Sequence, residues 1–428
     1  MSNVIEIFKE ITLTPRCSGT YHPFIEYVKS FAYKYDYNIS IDSTNNILCR
    51  KENSETKICL QSHYDIVCLV DETIPQILEE DGFLKAENST LGADNGIGCS
   101  YMLNLMKEGK DCEYLFTSDE EIGLIGANNL NMNIRSPYML NLDSETEGEV
   151  CIGCAGGIDI FATIDQKNII ENTEGYELYE ISIGGLAGGH SGVEIHKDIP
   201  NALKILANEI KACEGLVLDI NGGERINSIP VNAKAIVASK TQPKLHDENI
   251  KIEKIHNSGE HFNIYSDSVV KFMNSFENGV LEFNNELKVV ETSINLAKID
   301  TTINEVKIEL SARSMDNDKL KNIIDKTVLE LKELGFSVIT SGKYPAWKPD
   351  VNSFTNMVLD IYKKHSPDAS LEAIHAGLEC AIFKDKFPNI KVASIGPNIF
   401  SPHSNAERVE IQSVENLEKI VNEIVDSI

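Results

Sequence analysis

Thr90-Leu91-Gly92-Ala93-Asp94-Asn95-Gly96-Ile97-Gly98 is small, glycine-rich and carries a single acid, Asp94. Its glycines allow close backbone approach. A helical apolar pattern over Asn95–Lys107 begins at this acid, so Asp94 reads as a helix cap, as a carboxylate presented from a turn, or as both. Presented from a turn, its two oxygens can bridge two cations about 3.5–4 Å apart. With no G-K-[ST] and no G-x-G-x-x-G, the stretch is not a phosphate loop.

Working outward, Lys57–Gln61 reads as a strand and runs into His63 and Asp65. These two residues lie two apart, so after a strand both side chains can point to one side. Asp65 can steer the His63 imidazole through its other ring nitrogen without touching a metal. Glu113–Thr117 is a compact apolar strand followed by Asp119-Glu120-Glu121, and Tyr138–Leu142 is another, followed by Asp143. Near the end, His403 sits between Pro402 and Ser404.

Each of these has an ordinary reading when taken alone: a surface His–Asp pair, a solvated helix start, a turn acid, a loop histidine. Together, two histidines and three carboxylates make a two-metal set. Each metal would take one His, one terminal carboxylate and the shared Asp94, leaving room for water. Mixed nitrogen and oxygen ligation suits Zn²⁺, with Mn²⁺ or Co²⁺ as substitutes. Glu120 and Glu121 diverge in direction, so one can bind metal while the other takes a proton from water.

The chain of 428 residues exceeds the size at which single cores stop growing, so two domains are expected. Strand–loop–helix order with acids after strand ends is the ligand geometry of open α/β sheets. The texture changes near Cys154-Ala155-Gly156-Gly157, and Pro345-Ala346-Trp347-Lys348-Pro349 reads as a return linker. The expected fold class is α/β: a discontinuous catalytic domain, 1–157 plus 345–428, with an inserted α+β domain over 158–344. Within the insertion, Lys240–Tyr265 resists assignment.

A net charge of −27 repels phosphate backbones, so nucleic acid is not an expected partner. No apolar run approaches the roughly 20 residues that span a bilayer. The start, Met1-Ser2-Asn3-Val4-Ile5-Glu6, has no signal-peptide pattern, so a cytoplasmic location is expected. The ten cysteines then read mostly as small buried hydrophobes, with Cys151-Ile152-Gly153-Cys154 a weak redox pair.

The motifs also carry a resemblance. His63-Tyr64-Asp65-Ile66-Val67, Thr90–Gly98, Thr117–Ala127, Leu140–Glu145, Gly188–Gly192, Asn278–Ser293, Ala346–Asp350, His375–Cys380 and Gly396–Val409 run in order through nearly the whole chain. In these stretches the sequence resembles the aminoacyl-histidine dipeptidases (Xaa-His dipeptidases of the bacterial peptidase D type) of the dizinc exopeptidase superfamily. The resemblance implies a zinc-exopeptidase-like catalytic domain and a lid domain formed by the insertion. It implies two Zn²⁺ per chain: His63 and Asp143 on one, Glu121 and His403 on the other, Asp94 bridging. It makes Glu120 the general base, has Asp65 orient His63, and implies a cis peptide between Asp94 and Asn95. His190 would polarise the scissile carbonyl, from its own lid or, in a homodimer, from the partner's. Asn227, Arg313 and the backbone near Gly377 would take the free carboxylate of a small peptide substrate.

The sequence departs from the family pattern after Asp65, where the loop is shorter. It departs again at Glu379-Cys380-Ala381 and at His403-Ser404-Asn405-Ala406-Glu407. The expected function is a cytosolic dizinc dipeptidase using a metal-activated water. The rivals are an amidohydrolase of N-acyl or N-aminoacyl substrates and a non-catalytic metal-binding scaffold.

Overall fold

A computed structural model describes the chain except residues 1, 70–73, 88, 166, 171–173, 245–248, 257–261, 266 and 303, and the backbone alone of 167–170 and 262–265. Parts of the polar stretch Lys240–Tyr265 therefore lie outside the described residues. Within that stretch, Ile250–Ile255 and Phe262–Tyr265 are strands.

The chain forms two compact units. The first comprises Met1–Cys154, Trp347–Ala373 and Leu378–Ile428, and the second Ala155–Ala346 and Ile374–Gly377. The second begins where it does because Gly156 opens a long strand, Gly156–Ile164, of its own sheet. Residues 374–377 also belong to it, with Ala155 N–H donating to the Ile374 carbonyl at 3.0 Å.

The first unit is built on an eight-stranded sheet. Its order is Asn38–Ile41, Ile47–Arg50, Glu113–Thr117, Ile58–His63, Tyr138–Asn141, Lys391–Ser394, Glu149–Cys154 and Ser370–Ile374. The four central strands, from Glu113–Thr117 to Lys391–Ser394, are mutually parallel. Ile58–His63 and Glu113–Thr117 are buried at every position, as strands covered on both faces must be. Helix Asn3–Thr12 begins at Ser2, whose hydroxyl accepts from Val4 N–H, and it buries Val4, Ile5, Ile7, Phe8 and Ile11. Those side chains join Phe24, Phe116, Tyr101, Val358 and Leu417 in one core.

A small antiparallel sheet of the same unit pairs Ile77–Glu80, Phe83–Ala86, Arg408–Glu410 and Ile399–Phe400. It holds the stem of the loop that carries His403.

The second unit is a nine-stranded antiparallel sheet with helices Ala202–Ala212, Asp267–Ser275 and Asn317–Glu333. Its own core includes Ile160, Ile181, Leu206, Phe272 and Leu310. Among the described residues, no helix is long and apolar enough to cross a membrane.

Candidate metal centre

Three neighbouring parallel strands deliver the site. His63 is the last residue of its strand and sits in register with Thr117 of the next, so Glu120 and Glu121 follow at the same edge. On the other side Gln61 pairs Asn141, and Asp143 lies two residues beyond. The fourth contribution, Asp94, comes from the turn that leads into helix Ala93–Lys107.

His63 Nε2 lies 3.1 Å from Asp94 Oδ1 and 3.2 Å from Asp143 Oδ1. His403 Nε2 lies 3.0 Å from Asp94 Oδ2 and 3.0 Å from Glu121 Oε2. Each oxygen of Asp94 therefore faces a different imidazole. Ligand atoms of His63, Asp94 and Glu121 all fall within 4.8 Å of one another. These residues form a metal-binding group.

The helix-cap reading of Asp94 does not hold. Its backbone is non-helical and joined to Asn95 by a cis peptide, and its oxygens face the two histidines. Gly96 N–H, which it would have capped, donates instead to the Gly92 carbonyl at 3.2 Å, while Glu407 accepts from the N–H groups of Ala93 and of Asp94 itself. Asn95 turns its amide to Asp143. Glu120 and Glu121 do not start a helix either. They occupy a turn, and the helix that follows is the short Ile125–Asn128.

Asp65 meets both His63 and the turn of the two glutamates. Nδ1 of His63 meets the Asp65 carbonyl at 3.0 Å, with the carboxylate 3.6 Å away. The carboxylate itself accepts from Glu120 N–H at 3.0 Å, Glu121 N–H at 3.3 Å and the Ser18 hydroxyl at 2.7 Å. It thus fixes the turn that presents both glutamates. Burial alone would raise the Asp65 pKa, but these hydrogen bonds and His63 bring it below the usual carboxylate range.

The electrostatics call for cations. Burial, with Asp94 alongside, pushes Glu121 up to about 7. Burial also raises Asp143 and lifts Glu120 well above the ordinary glutamate value. Burial alone would lower both imidazoles, but the surrounding carboxylates hold His63 well above its ordinary value and His403 at about 11. Glu121 Oε1 is buried with no hydrogen-bond partner among the described residues. A carboxylate oxygen stranded beside two histidines and two further acids fits a bound cation.

Four residues named for substrate contact lie in the second unit. His190 pairs with Ser228, and its Nδ1 accepts from Gly192 and Val193 N–H, both at 3.1 Å, which leaves the neutral ring's proton on Nε2. The Asn227 carbonyl accepts from Ser191 N–H at 2.8 Å. Arg313 is buried and donates through Nη1 to the Tyr344 hydroxyl at 2.6 Å, while Nε has no partner among the described residues. A Cβ on Gly377 would meet the Tyr344 ring at 2.7 Å, and one on Gly192 would meet Arg313 Nε at 3.1 Å. His190, Arg313 and Gly377 thus adjoin.

Sequence reasoning missed three buried groups behind the centre. Arg16 donates to the Tyr64 carbonyl at 2.9 Å and the Gly92 carbonyl at 2.6 Å. Glu379 accepts from Gln61 and Thr117, one strand step before the ligands, and burial pushes it up to about 8. Glu407 accepts from the turn before Asp94. Glu379 and Glu407 lie within quoted motifs that assign them no role, and Arg16 lies outside every one.

The cysteines divide. Eight are free and buried, but Cys17 and Cys68 form a disulfide, brought together where Cys17 bridges Ile66. Cys151 and Cys154 are not bonded to each other: three apart on one strand, they face opposite sides.

Known proteins resemble this chain over nearly its whole length. The chain is 31% identical, over 473 aligned positions, to the cytosol non-specific dipeptidase of Escherichia coli strain K12, covering 99% of this chain and 97% of that one. This chain belongs to that dipeptidase family. Its fold matches the crystal structure of aminoacylhistidine dipeptidase from Vibrio alginolyticus with a TM-score of 0.82 and 28% identity, over 100% of this chain and 96% of that one. Aminopeptidase PepT from Bacillus cereus shares the fold alone, at a TM-score of 0.61 and 16% identity over 99% and 97% of the two chains. No family model matches the sequence. Family membership accounts for the shared plan, a metal-binding first unit interrupted by a second.

Proposed function

We propose that the chain is a cytosolic dizinc dipeptidase. The observation that carries this is Asp94, whose two oxygens lie 3.1 and 3.0 Å from the Nε2 atoms of His63 and His403. His63 and Asp143 would hold one zinc ion, Glu121 and His403 the other, and Asp94 both. Bound there, the ions supply Lewis acidity that acidifies water and polarises a peptide carbonyl.

The chain's own groups do the rest. Glu120 is half-buried beside this pair with a raised proton affinity, so it takes a proton from the attacking water and returns it to the leaving amine. Asp65 keeps that carboxylate in place through the Glu120 N–H. His190, its proton on Nε2, is the donor for the developing oxyanion. Arg313, with Asn227 and the backbone near Gly377, takes the substrate's free carboxylate, and the buried, unpartnered Nε of Arg313 supports that role. In this reading the second unit is the lid.

The test is metal analysis of the purified protein with a panel of free dipeptides, amidated dipeptides and N-acyl amino acids. Two zinc ions per chain and hydrolysis restricted to free dipeptides are expected. Preference for N-acyl amino acids would replace the reading with the amidohydrolase one, and a metal-loaded protein inert toward every amide would end it.

A further inference from the structure

The turn Thr90–Asp94 is held by an anion that the chain itself supplies. Glu407 is 1% exposed. One of its oxygens accepts from Leu91 N–H at 2.8 Å, Gly92 N–H at 2.9 Å and the Thr90 hydroxyl. The other accepts from Ala93 N–H at 2.8 Å and Asp94 N–H at 3.3 Å. Four successive backbone N–H groups converge on one carboxylate, an arrangement that binds anions in many loops. Five donors more than fill the roughly four lone-pair sites of a carboxylate. Arg16 grips the same turn from its other side through the Gly92 carbonyl.

An ordinary cap would satisfy the helix start and no more. Glu407 differs because of where it is attached. It lies in the loop 401–407 that carries His403, between strands Ile399–Phe400 and Arg408–Glu410. His403 is exposed and its ring meets only the carboxylates of Asp94 and Glu121 among the hydrogen bonds and ion pairs described. No other hydrogen bond described for this loop reaches the Asp94 turn.

We propose that Glu407 is a positioning residue that locks Asp94 and His403 into one frame, so that one buried carboxylate sets the geometry of the metal pair. The inference rests on the metal reading above. Glu407→Gln keeps the shape but turns an amide N–H₂ toward backbone N–H donors, so the turn loses acceptors it cannot replace. Groups that orient ligands from behind typically change metal affinity 10–100-fold when removed.

The full chain, stripped with a chelator, is titrated with Zn²⁺ against a chromogenic chelator and with Co²⁺ by visible absorption. Glu407→Gln is expected to fold, by far-ultraviolet circular dichroism, yet to bind Zn²⁺ about 10–100-fold more weakly. It should also lose the part of the Co²⁺ absorption that His403→Ala loses. A merely structural cap would lower the melting temperature and leave both readouts at parental values, and that result overturns the proposal. If Glu407→Gln does not fold, Thr90→Val decides: Zn²⁺ binding about threefold weaker supports the proposal, and parental affinity overturns it. A parental protein that binds neither ion sinks the metal reading first, so the two failures are distinguishable.

Discussion

Glu120 and Glu121 are adjacent in sequence yet differ in what each side chain meets. Glu121 reaches His403 at 3.0 Å, whereas no side-chain hydrogen bond is described for Glu120. Glu120→Gln should therefore retain metal, by direct metal analysis, and lose about 10²–10⁴-fold in turnover of a dipeptide. Unchanged turnover would remove Glu120 from the mechanism. Glu379 makes a second prediction. Burial holds its carboxyl at about 8, so it stays protonated in the folded chain where the unfolded chain has already released its proton. With the folded pKa raised, its contribution to stability is complete below about 4.5 and is lost as pH rises towards 8. In metal-free protein, Glu379→Gln should flatten the fall of melting temperature between these limits. A fall as steep as the parent's would show that Glu379 carries no such linkage. The gathering of His63, Glu120, Glu121 and Asp143 at one sheet edge was legible because each ends or follows an apolar strand. Glu379 and Glu407 were not, because their partners lie 262 and more than 300 residues away and spacing encodes no such contact.

At the scale of elements, helix Ala93–Lys107 is pressed onto the sheet at Gly98. A Cβ there would collide with the Asn95 amide, the Ser62 hydroxyl and, at 2.8 Å, the Leu142 carbonyl. Those atoms flank Asp143, so Gly98→Ala should destabilise the protein by about 1–3 kcal/mol and weaken zinc binding as well. Denaturant unfolding and a zinc competition titration check it; a variant with parental values of both would show that the contact relaxes freely. The buried parallel strands were readable because continuous apolar runs bounded by turns leave few alternatives. The strand Ser337–Tyr344 was not assigned, since six of its eight positions are exposed and it carries no alternation. Gly156–Ile164 was hidden by its two leading glycines, which pack where side chains would meet Ala346 and Tyr344.

Over the whole molecule, two hydrophobic cores serve two units, and the metal-binding group belongs to the first alone. A ligand stabilises only what folds to bind it. Calorimetry of the full chain should resolve two transitions, with chelator lowering one and sparing the other. A single transition that moves as a whole would show the units to be energetically inseparable. The two-part plan was visible in the sequence from the change of texture near residue 155 and the proline-rich return. That residues 374–377 belong to the second unit was not, because so short a visit leaves no compositional trace.

The strand Lys391–Ser394 lies in the middle of the first unit's sheet, parallel to Tyr138–Asn141 on one side and antiparallel to Glu149–Cys154 on the other. A ribosome finishes the neighbours long before it makes the strand that parts them. Some 250 residues separate Asn141 from Lys391, which at ~5–20 residues per second is roughly 10–50 s of synthesis. Through that interval the nascent sheet has a vacant slot edged by two apolar strands, and His403 does not yet exist. His403 is therefore the last of the proposed ligands to be made, and premature termination anywhere before residue 391 leaves a sticky fragment for chaperones and proteases to clear.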